Sequence, residues 1–199
     1  MKSIVAGALL AFLGFASSAQ AALVIVVPNV NLAPNTPNQP VTVSVTGGDM
    51  VTGVVVDAVL GNGMAAGVEP IFQNFDFTTG TIFSDTAAHP GTKIGGTVGG
   101  FPQDAQVSYA LNTQNDTVAA SGNFITLFIS TVNLTSGTYP LSLANTEIGQ
   151  DTHFLLPGGA SDTPVITNGS VTITPIPEPS SMLAMLAGGL LLVRRRRAA

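Results

Sequence analysis

The clearest period between residues 22 and 174 is two: at 41–46 apolar residues recur at every second position, and that alternation points the chain to β-structure. Val41, Val43 and Val45 alternate with Thr42, Ser44 and Thr46. In an extended strand successive side chains point to opposite faces, so three valines share one buried face and three hydroxyls share the other. The same reading makes strands of Leu23–Val27, Val51–Leu60, Ile71 to Phe77, Val107–Leu111, Phe124–Val132, Tyr139–Ala144 and Gly169–Thr174. They are rich in β-branched and aromatic residues, which suit a pleated, half-buried surface. Breaks of turn-forming composition separate them, such as Gly61-Asn62-Gly63, Gly95 to Gly100, and Asn112 to Asp116. No helical periodicity is sustained over three turns in this region. Many short strands with Gly and Pro turns predict an all-β fold, a single antiparallel β-sandwich.

Other segments read as connections. Pro28 to Pro40 holds four prolines and four asparagines in thirteen residues, so it is expected to be extended or turning and not a central strand. Residues 84–105 and 145–163 are expected to be long loops. Thr174-Pro175-Ile176-Pro177 is a short stiff linker. There is no cysteine, which excludes disulfide staples, a thiol nucleophile and a Cys-ligated metal site. About 150 residues suffice for one domain with its own core.

The two ends carry a different message. Met1-Lys2 is a short positive start, Ile4 to Phe15 is apolar, and Ala19-Gln20-Ala21 places small residues where signal peptidase needs them. That order marks residues 1–21 as a secretory signal peptide cut between Ala21 and Ala22. At the other end, Pro177-Glu178-Pro179 precedes an apolar run from Met182 to Val193 and then Arg194, Arg195, Arg196 and Arg197. As a helix, residues 182–193 reach about 18 Å, short of a hydrocarbon core of roughly 30 Å, and the arginines favour a cytoplasmic C-terminus.

Residues 177–199 resemble the PEP-CTERM sorting signal: the Pro-Glu-Pro triplet, the short apolar helix and the arginine cluster match its parts in order. The resemblance implies processing by an exosortase, a membrane enzyme of Gram-negative bacteria that make exopolysaccharide. The tail holds the substrate at the membrane while the enzyme acts beside it. The mature protein then resides at the cell surface or in the extracellular matrix. Three regions result: signal peptide 1–21, β-sandwich domain 22–174, and linker plus sorting tail 175–199.

Without both signals the balance of charge changes. Residues 22–176 contain one basic residue, Lys93, against ten acids, a net charge of −9. Nothing there can neutralise phosphate, so nucleic acid is excluded as a partner.

A second resemblance lies inside the domain. Phe124-Ile125-Thr126-Leu127, Thr135-Ser136-Gly137-Thr138-Tyr139-Pro140-Leu141 and Ile166 to Ile173 are similar to a core strand, a G-T-Y-x-L turn and an N-G-S-x-T-I final strand of cohesin-like modules. The usual G-F-x-x-x-L-x-Y-D stretch is absent, and Gly53-Val54-Val55-Val56-Asp57-Ala58-Val59-Leu60 stands in a comparable place. The resemblance implies a jelly-roll-like sandwich of about nine strands, in a superfamily that also includes carbohydrate-binding modules. The family's partner-binding face lies partly on the strands of this first half.

Catalysis finds little support. His89 sits in a His-Pro-Gly turn, and His153 precedes Phe154-Leu155-Leu156 as a partly buried structural residue. Asp151 lies two residues before His153, but there is no G-x-S-x-G nucleophile motif. With no Trp and only Tyr109 and Tyr139, a broad aromatic sugar platform is not expected, while hydrogen bonding from loop Asn, Thr and Ser remains open. No cofactor is expected. Loosely bound calcium at Asp116, Asp151 or Asp162 is left open by their hard oxygens, although no EF-hand loop occurs. The sequons at Asn115, Asn133 and Asn168 read as coincidences of an Asn- and Thr-rich chain. The expected function is therefore an exported, non-catalytic surface or matrix protein whose sandwich meets another protein or a polysaccharide. A purely structural matrix protein and a secreted carbohydrate-active enzyme are the alternatives.

Overall fold

The valine alternation governs the architecture. In a computed structural model that describes residues 22–62, 68–98, 101–112, 116–143 and 152–175, Val41, Val43 and Val45 are buried while Thr42 and Thr46 are exposed. The described residues contain no helix. The signal peptide, the apolar run 182–193 and the arginine cluster lie outside them.

The strands follow in chain order. β1 (Val24–Val26) and β2 (Asn29–Leu32) are halves of one path broken at Pro28. β3 (Gln39–Thr46) carries the alternation. β4 (Met50–Val51) and β5 (Gly53–Leu60) divide the expected Val51–Leu60 strand at Thr52. β6 (Ile71–Asp76), β7 (Gly91–Val98), β8 (Phe101–Leu111), β9 (Val118–Ala119) and β10 (Gly122–Ser130) come next. β11 (Gly137–Ser142), β12 (His153–Leu155), β13 (Ser161–Asp162), β14 (Val165–Thr167) and β15 (Gly169–Ile173) complete the set. Joining β1 with β2 and β14 with β15 leaves nine long paths besides the short pairs β4·β9 and β12·β13.

Sheet A runs β14-β1-β3-β10-β6, and sheet B runs β13-β12-β5-β11-β15-β2, with β8 also on β5 and β7 on the far side of β8. Their inner faces meet in one core, where Phe124 of sheet A packs edge-on against Phe154 of sheet B at 5.5 Å. Two bulges adapt the strands to it. At Gln73 the register slips against β10, so Phe72 and Phe75, three residues apart, both face inward. At Phe124 a second slip buries Phe124 and Ile125 together.

Three expectations need correction. The sandwich is not wholly antiparallel: β1 pairs with β14, and β2 with β15, in parallel. The first and last strand paths run side by side and switch sheets together. They cross so closely that a Cβ on Gly169 would lie 2.2 Å from the Pro28 carbonyl oxygen. Residues 84–105 are not one loop, because β7 and the start of β8 occupy most of the second half. Gly95 serves close approach: a Cβ there, where φ is +95°, would meet the Gln106 carbonyl oxygen at 2.3 Å. Within 145–163, His153–Leu155 and Ser161–Asp162 form a hairpin closed by Leu156 N–H on the Ala160 carbonyl at 2.8 Å. The proline-rich segment fits its reading as far as Asn38, since β2 is an edge strand and Asn35 and Asn38 take positive φ, but Gln39 and Pro40 already belong to β3, which lies between β1 and β10.

Candidate functional site

Register lays out the outer face of sheet B. Ile94 lies opposite Ser108, Ser108 opposite Val55 and Val55 opposite His153, so one row crosses β7, β8, β5 and β12. Thr92, Ala110, Gly53 and Leu155 form the next row. The intervening Val54, Tyr109 and Phe154 are buried, so both rows turn away from the core. Neither row contains an acid, a lysine or an arginine. Ile94 is 65% exposed, and Ser108, Val55 and His153 are half-buried. At one end the β12–β13 hairpin and the end of β8 enclose a groove of about 340 Å³ lined by Thr52, Ala110, Leu111 and Leu155 among others. Beyond these rows Asp57 pairs with Gln106 and is buried, although its backbone position faces outward. Its N–H donates to Thr152 Oγ1 at 3.0 Å, and Thr152 Oγ1 donates to the Leu143 carbonyl, which fastens the chain before β12 to the middle of β5.

The inner side of β7 builds something different. Lys93 lies opposite Tyr109, which faces the core. Its Nζ therefore reaches across the open side of the sandwich to β6, donating to the Phe75 carbonyl at 2.9 Å and to Asn74 Oδ1 at 3.3 Å. Asn74, Phe75, Asp76, Phe77, Thr78, Lys93 and Tyr109 line a cleft of about 250 Å³ there. Asp76 Oδ1 accepts from Thr78 N (2.8 Å), Thr78 Oγ1 (3.0 Å) and Thr79 N (3.0 Å). Partial burial works against its ionisation, but hydrogen bonds from Thr79 and Thr78 together outweigh it and bring the pKa from 3.8 to about 2. The Tyr109 ring packs on Phe77 at 5.6 Å and Phe83 at 5.0 Å. Burial pushes its phenol pKa up. Its hydroxyl is buried and meets no protein hydrogen-bond partner among the described residues. Gly91 makes the room, since a Cβ there would lie 2.6 Å from that hydroxyl.

Of the residues singled out from sequence, Pro177, Glu178, Pro179, Arg194 to Arg197, Ala19 and Ala21 lie outside the described residues. Ala22 is the first described residue and is exposed, one position before buried Leu23. Asp151 and Asn115 also lie outside. His153 is half-buried on the outer row, and Tyr139 is only partly buried against the core. Asp116 is not a freely solvated loop acid: its Oδ1 contacts His89 Nδ1, pinning the 85–90 turn to the segment before β9. No three His, Asp or Glu residues converge among the described residues. The Lys93–Tyr109–Asp76 cleft escaped sequence reasoning. Its one signal was Lys93, the single basic residue of the domain.

With that geometry in view, comparison with solved structures returns cohesin domains. A type I cohesin from a Clostridium thermocellum cohesin–dockerin complex is 11% identical, matched over 81% of this chain and 99% of its own, with a TM-score of 0.57. A non-cellulosomal cohesin from Archaeoglobus fulgidus is 15% identical over 82% and 98%, with a TM-score of 0.54. The solution structure of a Clostridium acetobutylicum cohesin is 16% identical over 78% and 92%, with a TM-score of 0.59. At such identities the likeness is one of fold. No protein-family model and no curated protein matches the chain.

Proposed function

We propose that this chain is an exported, non-catalytic interaction protein of a Gram-negative cell surface or matrix. Signal peptidase removes residues 1–21, and an exosortase acts on the tail through Pro177-Glu178-Pro179. The sandwich then docks a partner protein on the outer face of β7, β8, β5 and β12. The cohesin-like fold carries the docking role. Similar modules from Clostridium thermocellum and Acetivibrio cellulolyticus were solved in complex with dockerins. The uncharged rows around Ile94 give such a partner an apolar centre free of desolvated charge.

Two measurements test this. Protein extracted from the surface of its own cells should begin at Ala22 and lack Arg194 to Arg197 by intact mass, and Glu178→Ala should block sorting while leaving export intact. Recovery of the full C-terminus beside an active exosortase would reduce the tail to an anchor. Second, a partner retained by the immobilised protein should be lost with Ile94→Asp and kept with Thr42→Asp on sheet A. Equal retention by both variants would remove this face. A chain that retains no protein at all would be a structural matrix component.

A further inference from the structure

We propose that the cleft between β6 and β7 binds one neutral pyranose ring of a polysaccharide. The proposal concerns the inner side of β7 and does not depend on the docking face.

The starting point is Tyr109. Phenylalanine would fill the same core position without placing a hydroxyl out of water with no partner, so the oxygen costs stability unless a ligand meets it. Its surroundings are polar in a mixed way. Asp76 is ionised, its Oδ1 is held by the Thr78 and Thr79 amides, and its carboxylate lines the cleft as an acceptor. Asn74 offers an amide, and Lys93 has a third N–H beyond those given to Phe75 and Asn74. Phe75, Phe77 and Tyr109 supply ring carbon beside these groups.

This set discriminates among ligands. A free anion meets the Asp76 carboxylate. A metal ion is displaced by the Lys93 ammonium, which already holds the Asn74 and Phe75 oxygens. A purely apolar ligand would bury both charges without replacing their hydrogen bonds. A pyranose matches: it is uncharged, presents neighbouring hydroxyls that both donate and accept, and has an apolar C–H face for an aromatic ring. A volume of about 250 Å³ limits the occupant to a single ring. The Tyr109 hydroxyl is closed to solvent, so the sugar reaches it when Lys93, an exposed and flexible side chain, swings off the Phe75 carbonyl.

The test is an NMR titration of the full chain, in zwitterionic micelles, with the methyl glycosides of glucose, galactose and mannose into the tens of millimolar. Amide shifts confined to residues 74–78, 91–93 and 109 with at least one glycoside are expected. Tyr109→Phe should weaken that binding about tenfold, the loss of one hydrogen bond from a buried site, while its melting temperature stays level or rises. Asp76→Asn, which keeps the Oδ1 acceptor of the turn, should weaken binding with the fold intact. Ile94→Asp should leave sugar binding unchanged, which separates this site from the docking face. Three results would overturn the proposal: no shift with any glycoside, shifts only with a longer oligosaccharide, or wild-type affinity in Tyr109→Phe. Displacement of the sugar-free cleft signals by a protein partner instead would reassign the cleft to protein docking.

Discussion

Val43→Asp places a carboxylate at a position with no solvent exposure, opposite Ile125 and between the buried Val41 and Val45 of β3. Losing a fully buried valine costs about 2 kcal/mol. The new acid would rather be neutral than ionised in that core. Protonating a group of ordinary pKa near 3.9 at pH 7 costs about 4 kcal/mol. The sum of about 6 kcal/mol meets the lower part of the roughly 5–15 kcal/mol that stabilises a typical domain. Thr42→Asp is the control. Thr42 is exposed, Thr126 lies opposite it, and Asp76 lies opposite Thr126 on the next strand. Two strand spacings put the carboxylates about 10 Å apart, beyond a Debye length of about 8 Å at physiological salt, so the repulsion stays below about 1 kcal/mol. Residues 22–174 expressed alone and melted under circular dichroism should therefore lose the cooperative transition in Val43→Asp and keep it in Thr42→Asp. The pH dependence has a definite sign. The folded-state pKa of Asp at 43 lies above its unfolded value, so its penalty is absent below about pH 4 and grows as pH rises. Partial recovery of the melt at pH 4 is expected. Equal tolerance of both substitutions at pH 7, or a helical spectrum from the parent fragment, would refute the strand assignment.

Two other perturbations read separate parts of the fold. Gly169→Ala drives a Cβ to 2.2 Å from the Pro28 carbonyl oxygen, where backbone must shift, so a loss of about 2–3 kcal/mol is expected by denaturant titration. The Asp76 carboxyl is held at a pKa of about 2, below its ordinary 3.8, so its contribution is present above pH 3.8 and is lost as pH falls toward 2. Asp76→Ala should flatten that part of the stability profile, by about 1 kcal/mol once solvent screening is allowed for.

Where a strand has one wet and one dry face, the chain spells it out, and β3 was legible to within two residues at its start. The β10 strand was legible as an element, but its bulge was not, because Phe124 and Ile125 both face inward only when partner strands fix the register. β7 was missed because Gly91, Gly95 and Gly96 read as turn residues. Gly91 and Gly95 let Tyr109 and the Gln106 carbonyl approach, a reason that exists only once β8 lies alongside. Asp57 falls in a strand that was legible, but its burial was not, because it sits on the outward side of β5 and is covered only where Thr152 and the chain before β12 lie over it. The cleft joins residues 74–78, 93 and 109 across two sheets, and no spacing along the chain announces it. The processing signals expected at the two ends stand at the opposite extreme: they are read from the linear sequence alone and lie outside the described residues.

The parallel pairing of the first and last strand paths has a mechanical consequence. The chain enters beside Val165 and leaves beside Leu32, at opposite ends of the paired paths. A pull between the two ends drags β1 and β2 one way and β14 and β15 the other, along their common axis. Three register pairs in sheet A and four in sheet B then bear the load side by side and must give way together. A hairpin pulled from its ends would unzip one rung at a time. A domain held at one end and tugged at the other is thus loaded in shear, the direction in which a β-ladder resists rupture best.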